Sequence, residues 1–288
     1  MKIAAVFCIY NEEEYLEYAV RAILPAVDVV ILCLGLAPYT AYARGETAEF
    51  RPDGTEPIVD RLAAEFPGKV EVIKRRWPSQ LEHRDAGLAR CLELGMDYYF
   101  LVDGDEVYRS DHLATIRDTL QRRPDVGTFI IKCHTFWRSF RYRILPDTLT
   151  WRPRRLFHLT RHRRILGVRV PHALRFVGIN DLNSLGPVYE FHPKDAVFYH
   201  FSYARSPARM REKLMTFPHA QEILSGWYEQ VWLRWPGDRR MANIHPTDPP
   251  KFPEAVAHDL SDLPEIMRRH PYYTLETIDD HAALAHRV

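Results

Sequence analysis

One stretch constrains this chain more than any other: the apolar, aromatic run Tyr98-Tyr99-Phe100-Leu101-Val102 ends abruptly in Asp103-Gly104-Asp105-Glu106. Such a run has the length and composition of a fully covered strand in a parallel sheet. In extended backbone, residues two apart point to the same side, so Asp103 and Asp105 can present their carboxylates together. Gly104 between them leaves room for a ligand to approach the backbone. Hard oxygen donors suit Mg²⁺ or Mn²⁺, which fills its shell with waters and substrate phosphates. Acid–glycine–acid also makes good turns. The setting favours a ligand site, because ligands of open α/β sheets bind outside the carboxyl ends of such strands. The pattern points to a diphosphate-bearing substrate.

The chain has 288 residues, enough for one large domain or a domain with a sizeable appendage. A net charge of +1 argues against a general nucleic-acid binder, whose affinity comes from surplus Lys and Arg. Cys8, Cys33 and Cys133 fall in strand-like runs and Cys91 in a helical one. None has metal-ligand spacing, so they read as small buried hydrophobes in a reducing compartment. The first residues already form a strand, and no apolar segment approaches the ~20 residues that span a bilayer. The expectation is a cytoplasmic chain without a leader peptide.

Strand and helix patterns then alternate. Ile3 to Ile9 reads as a buried strand, and Asn11 as the cap of a helix whose first turn is Glu12-Glu13-Glu14 and whose apolar stripe is Tyr15, Leu16, Ala19, Val20 and Ile23. A second strand runs from Asp28 to Leu34, a polar loop from Ala37 to Thr55, and a helix from Glu56 to Phe66. Val70 to Ile73 is a third strand and Arg84 to Leu94 a third helix, closing at Gly95 before the acidic strand. Asp111 caps a helix to Arg122, and Gly127 to Cys133 is a further strand. This order predicts an α/β fold with a mostly parallel central sheet flanked by helices, Rossmann-like in class.

From Arg138 the character changes. Arg138, Arg141, Arg143, Arg152, Arg154, Arg155, Arg161, Arg163 and Arg164 make a basic span, followed by short strand-like pieces and a helix from Ser206 to Trp235. The proline-rich polar tail from Pro236 to Val288 is expected to wrap the surface. With no flexible linker, residues 1–135, 136–235 and 236–288 are expected to build one compact domain.

Ile9-Tyr10-Asn11-Glu12-Glu13 after the first strand, together with Leu101-Val102-Asp103-Gly104-Asp105, resembles family 2 glycosyltransferases of the GT-A fold, DxD type. Asp53-Gly54-Thr55 stands where those enzymes carry an acidic, glycine-rich turn. His83-Arg84-Asp85-Ala86-Gly87-Leu88 resembles the helix start before their DxD strand. The likeness covers residues 1–135. A fainter one continues through Arg154-Arg155-Leu156-Phe157 and Gly167-Val168-Arg169-Val170-Pro171-His172, which resembles the subgroup containing lipopolysaccharide-core enzymes. There a His-Glu pair follows, and here Ala173 stands in place of the acid.

The resemblance implies a metal-dependent hexosyltransferase. It would take a nucleotide-sugar donor in residues 1–135 and an acceptor (a saccharide, a lipid-linked or a small molecule) on the side of residues 136–235, in glycan, glycolipid or polysaccharide synthesis. Tyr10, Asn11 and Glu12 would face base and ribose, with Asp53 and Arg84 nearby. Asp103 would approach the ribose or the metal, and Asp105 would be the firmest ligand of Mn²⁺ or Mg²⁺. Glu12 also reads as a simple helix-dipole residue. DxD transferases often complete the metal shell with a late histidine. His200, in the run Ala196 to Tyr203, is that candidate against a hydrogen-bonded core histidine, and His172 is the next.

Arginine offers a bidentate fork to phosphate, which singles out Arg154, Arg155, Arg205 and Arg211, with His172, for a diphosphate or anionic acceptor. The other arginines read as a solvated face. His134, His158, His162 and His192 lack metal-site spacing, and Trp137, Trp151 and Trp227 read as core rather than sugar platforms. An inverting transfer needs a carboxylate base, and Asp181 and Glu190 are its candidates. Peripheral membrane contact is compatible with this reading, and nucleic acid is not expected as a partner. Two rivals stand. A sugar-phosphate nucleotidyltransferase would need a glycine-rich phosphate loop where Tyr10-Asn11-Glu12-Glu13 is acidic. A non-catalytic nucleotide- or sugar-binding protein is kept open by Ala173.

Overall fold

Strands form where the apolar runs predict them: β1 Ile3–Ile9, β2 Val29–Gly35, β3 Val70–Arg75 and β4 Tyr98–Val102. Between them lie helices α1 Leu16–Ile23, α2 Thr55–Glu65 and α3 Gln80–Glu93, and after β4 come a short strand β5 Glu106–Tyr108 and α4 Ser110–Arg122. The computed structural model describes residues 1–38, 52–145, 152–159, 187–216 and 220–279. They fall into two compact units, one of residues 1–131 with 153–197 and the other of 132–152 with 198–288. Among the described residues no helix is long and apolar enough to cross a membrane.

The first unit holds a seven-stranded sheet in the order β10-β6-β9-β4-β1-β2-β3, completed by β6 Thr128–Ile130, β9 Arg154–His158 and β10 Val188–Glu190. It is the expected mostly parallel α/β sheet. β1 runs parallel to both β2 and β4, β2 to β3 and β10 to β6, while β9 alone runs antiparallel to its neighbours β4 and β6.

The connections explain the layering. From β1 to β2 and from β2 to β3 the chain steps one way along the sheet, then α3 carries it back past β1 to β4. Because parallel crossovers are right-handed, the reversed step puts α3 on the face opposite α1 and α2. Accordingly α1 packs on α2 and α4, whereas α3 packs on β1 and β2. Its cluster includes Ala4, Val6, Ile31, Cys33, Leu88, Cys91, Tyr99 and Leu101. The alternate residues Ala5, Phe7, Val30, Leu32 and Phe100 are equally buried, so both faces are covered. The direction reverses between β1 and β4, which leaves a crevice at their carboxyl ends.

Three boundaries differ from the sequence expectation. The first helix begins at Leu16 rather than after Asn11. Asn11 is left-handed (φ 49°), and the amides of Glu12 and Glu13 donate to Thr55 Oγ1 (2.7 Å) and Asp53 Oδ2 (3.1 Å). A distant turn does the capping there. Conversely α3 starts early, because Ser79 accepts the Glu82 amide (3.3 Å) and its hydroxyl donates to the Glu82 carboxylate (3.1 Å), a local capping pair. Asp111 sits one residue inside α4 and accepts the His112 amide at 2.9 Å.

The run from Gly127 to Cys133 is not one strand. β6 ends at Ile130, Ile131 donates its amide to Pro153 (3.3 Å), and β7 Lys132–Trp137 belongs to the second unit. There β7 forms a hairpin with β8 Ser139–Leu145 about left-handed Arg138 (φ 61°), whose guanidinium lies 3.6 Å over the Trp232 ring. β11 Val197–Tyr203 and β12 Glu254–Ala257 flank the hairpin. Among the described residues the expected helix over 206–235 is α5 Pro207–Thr216, followed by a 3-10 turn Ala220–Glu222, a left-handed Gly226 (φ 72°) and a five-residue π-helical segment Tyr228–Trp232. Trp137 and Trp227 lie in a core with Trp232 and Trp235, as read from sequence, while Trp151 lies outside the described residues. The tail supplies β12 and fully buried Ile244, Met267, Tyr272 and Ile278.

Gly87 sets how closely α3 approaches the sheet: a Cβ there would lie 2.3 Å from Val6 Cγ1 and 3.2 Å from Cys33 Sγ. Helix propensity favours alanine by about 1 kcal/mol, but Val6 is β-branched, stiff and fully buried. Overpacking therefore wins, and Gly87→Ala is expected to lose about 1–3 kcal/mol in urea unfolding. A variant as stable as wild type would show that α3 can stand off the sheet.

Candidate functional site

β1 and β4 are neighbours in parallel register, Phe7 beside Val102, so the segments that follow them emerge side by side at the crevice. Tyr10, Asn11 and Glu12 leave β1 there, and Asp103-Gly104-Asp105 leaves β4. Contact between the two is direct: a Cβ on Gly104 would lie 2.9 Å from Glu12 Cγ and 3.0 Å from Glu12 Cβ. Glycine is required at 104 by this packing of one turn on the other. Tyr10, Asn11 and Glu12 are all half-buried.

The β1 exit is clasped from the other side. Asp53 Oδ1 accepts the Thr55 amide (2.9 Å) while Oδ2 takes that of Glu13, and Glu13 Oε2 accepts the Gly54 amide (2.6 Å). The Asp53 amide reaches Asn11 Oδ1 at 3.4 Å. Asp53 is thus brought to the same edge, with both carboxylate oxygens engaged by backbone amides. These bonds hold Asn11 in its left-handed conformation, which costs an ordinary residue about 1 kcal/mol and least for Asn.

The acidic turn is held from below by an ion pair that the sequence reading did not assign. Glu106 is fully buried and Arg155, on β9, is 4% exposed. Arg155 Nη2 donates to Glu106 Oε1 and lies 3.3 Å from Asp103 Oδ2. Glu106 Oε2 accepts the Asp103 amide (3.2 Å), and the Glu106 amide donates to the Asp103 carbonyl (3.0 Å). Burial pushes the Glu106 carboxyl well above the usual carboxylate range, reinforced by Asp103 and Asp105 and opposed by Arg155. Asp105 is 3% exposed, whereas the Asp103 side chain keeps 33% of its surface open. Asp103 is the carboxylate most accessible to a ligand.

The first turn of α3 completes the neighbourhood. Arg84 is half-buried, with a buried Nε that has no hydrogen-bond partner. Its charge and that of Asp103 both act on Cys8 and on His83. The Cys8 thiol is pushed up to about 12, by burial first, so it is neutral and unreactive. His83 is fully buried, stacked on Trp77 at 4.0 Å, with Nε2 donating to the Cys33 carbonyl at 2.7 Å. A carbonyl only accepts, so the neutral ring carries its proton on Nε2.

Arg154 is half-buried on β9, and Glu190 is half-buried at the end of β10. His200, Arg205 and Arg211 belong to the second unit. There His200 is half-buried on β11 with its ring 6.2 Å from Phe198, Arg205 is 1% exposed, and exposed Arg211 lies 5.0 Å over the Tyr228 ring. His172, Asp181, His162 and Ala173 lie outside the described residues. The donor set of Asp103 and Asp105 has the hard-oxygen chemistry of an Mg²⁺ or Mn²⁺ site that leaves positions for phosphate. Among the described residues no group of three or more His, Cys, Asp or Glu is arranged to hold an ion by itself.

Glu106 escaped a functional reading, and Arg155 was read for a diphosphate or anionic acceptor rather than as its ion-pair partner, because their partnership spans two strands distant in sequence. The one available signal was an acid placed directly before the apolar Val107-Tyr108.

No protein-family model matches the chain, and no curated protein matches it. Among solved structures it is similar to the 1–349 fragment of S. aureus TarS in complex with UDP-GlcNAc, at 14% identity over 75% of this chain and 65% of that one, TM-score 0.46. It is also similar to the mannosyltransferase PcManGT of Pyrobaculum calidifontis in complex with GDP-Man and Mn²⁺, at 12% identity over 75% and 61%, TM-score 0.45. A third is the 4-diphosphocytidyl-2C-methyl-D-erythritol synthase of Anaerococcus prevotii, at 12% identity over 76% and 98%, TM-score 0.42. The chain spans less than two thirds of the length of the S. aureus TarS 1–349 chain, 63%. The strand order and register, not these similarities, define the fold.

The pKa of His83 is held down at about 4, against 6.5, mainly by burial. A depressed folded-state value means the unfolded chain binds the proton first as pH falls. Stability is therefore full above pH 6.5 and falls toward pH 4, by on the order of 3 kcal/mol for this group. His245 and His258 titrate in the same window, so the measurement is a difference. In urea unfolding from pH 7 to 4, His83→Gln is expected to flatten the slope by about one proton. An unchanged slope would show that His83 is protonated in the folded state.

Proposed function

We propose that this chain is a glycosyltransferase that moves a sugar from a nucleoside-diphosphate sugar to an acceptor hydroxyl with the help of Mn²⁺ or Mg²⁺. The observation that carries this reading is the crevice itself. The Asp103-Gly104-Asp105 turn and the Tyr10-Asn11-Glu12 turn pack on each other at the point where the sheet's connections reverse. In the transfer the acceptor oxygen bonds to the anomeric carbon and gives up its proton to a base as the bond to the diphosphate oxygen breaks, and negative charge builds on the departing diphosphate. A cation held by Asp105 and Asp103 would neutralise that charge. Arg84, whose buried Nε faces no partner, is suited to the same anion. Tyr10, Asn11 and Glu12 line the nucleoside side.

The nucleotidyltransferase rival needs backbone amides at the β1 exit to cradle phosphates. Those of Glu12 and Glu13 already donate to Thr55 and Asp53, which weighs against it.

A thermal-shift screen of UDP, GDP, CDP and dTDP with Mn²⁺ tests the reading. One of the four is expected to raise the melting temperature by mass action only when the cation is present. Asp105→Asn should remove most of that shift while the protein stays folded. Equal shifts with and without EDTA would exclude a cation bridge between carboxylate and diphosphate. Sugar release from the matching nucleotide sugar would then separate a transferase from a binding protein.

A further inference from the structure

The geometry points to Arg155 as the group that keeps a divalent cation out of the acidic turn until a diphosphate arrives. This inference rests on reading the turn as a nucleotide–cation site, and its test separates the two.

A single nitrogen, Arg155 Nη2, serves both carboxylates: it donates to Glu106 and stands 3.3 Å from Asp103 Oδ2. The guanidinium is ionised at every accessible pH, so deprotonation does not remove its charge. Swinging into solvent would leave Glu106, at 0% exposure, a buried carboxyl without its counter-charge, a strongly unfavourable exchange. Arg155 is therefore a fixed positive charge at the back of Asp103. Arg154 cannot replace it, because adjacent residues of β9 point to opposite faces of the sheet.

For a bare divalent ion approaching the open side of Asp103, that charge offsets at short range the attraction of the carboxylate it touches, and does so more strongly through a partly buried medium than in water. A diphosphate reverses the balance by bringing several negative charges and supplying the oxygens that Asp103 and Asp105 do not. Cation and nucleotide then enter together, and the site stays empty of free metal. Arg155 acts here as a positioning and gating residue, because it orders Asp103 and touches no reacting atom.

The test titrates Mn²⁺ alone into the full chain, following the free ion by its paramagnetic resonance signal. Wild type and Arg155→Lys are expected to bind weakly. Arg155→Met should bind about ten-fold tighter or more, and the double variant Arg155→Met/Glu106→Gln should also bind tighter than wild type, because the Arg155 charge lies against the open Asp103 carboxylate whereas the Glu106 carboxyl is fully buried. The double variant guards against misfolding, because replacing a buried pair as a unit is far better tolerated than removing one partner. If Arg155→Met alone does not fold, the double variant decides. Affinity no tighter than wild type in the double variant overturns the inference. So does tightening confined to Arg155→Met, which would trace the effect to an uncovered Glu106. A wild-type chain that no nucleoside diphosphate stabilises would overturn the proposed function, while the Mn²⁺ comparison still settles what Arg155 does.

Discussion

Three acidic residues, Asp103, Asp105 and Glu106, crowd the end of β4, and two of them are almost entirely removed from water. Carboxylates so placed repel one another, and burial penalises their ionised forms. The Arg155 guanidinium makes the arrangement tenable by bridging Glu106 and Asp103. It comes from β9, the antiparallel strand beside β4 that the chain forms after its passage through the second unit. The shape of the candidate site thus depends on a cation supplied late in the sequence.

Around this pair the polar groups of the crevice are largely spoken for. The amides leaving β1 go to the Asp53–Thr55 turn, the Asp103 amide goes to Glu106, and the Gly54 amide goes to Glu13. Such bonds add about 1 kcal/mol each, but their larger effect is to leave few orientations open to the two turns. At the surface of the crevice Asp103 keeps a third of its side chain open, while Tyr10, Glu12 and Arg84 at the start of α3 are half-buried.

Much of this was legible in the amino-acid sequence. Long buried runs such as Ile3 to Ile9 and Tyr98 to Val102 identify central strands because nothing but burial on both faces suits them. The alternation with amphipathic helices then dictates a mostly parallel sheet. The acidic residues after β4 mark the crevice, since a covered strand has polar groups to offer only where it ends. Boundaries were less legible where the capping partner is remote: Asn11 looks like a helix cap, yet Thr55 and Asp53 take the amides. Ser79 and Glu82, by contrast, are a local pair that the sequence displays openly.

What the sequence by itself determined is the α/β class, the strand order's raw material and the acid–glycine–acid turn, because hydrophobic periodicity and turn chemistry are properties of neighbouring residues. Only the tertiary structure decided that Glu12 lies against Gly104, that Gly87 presses on Val6, and that Arg155 sits under Glu106 and Asp103. It also decided that the run from Gly127 to Cys133 divides at Ile131 between two units. Each of these is a pairing between residues far apart along the chain. Which charge meets which is set by the register and order of strands, and no local pattern carries that information.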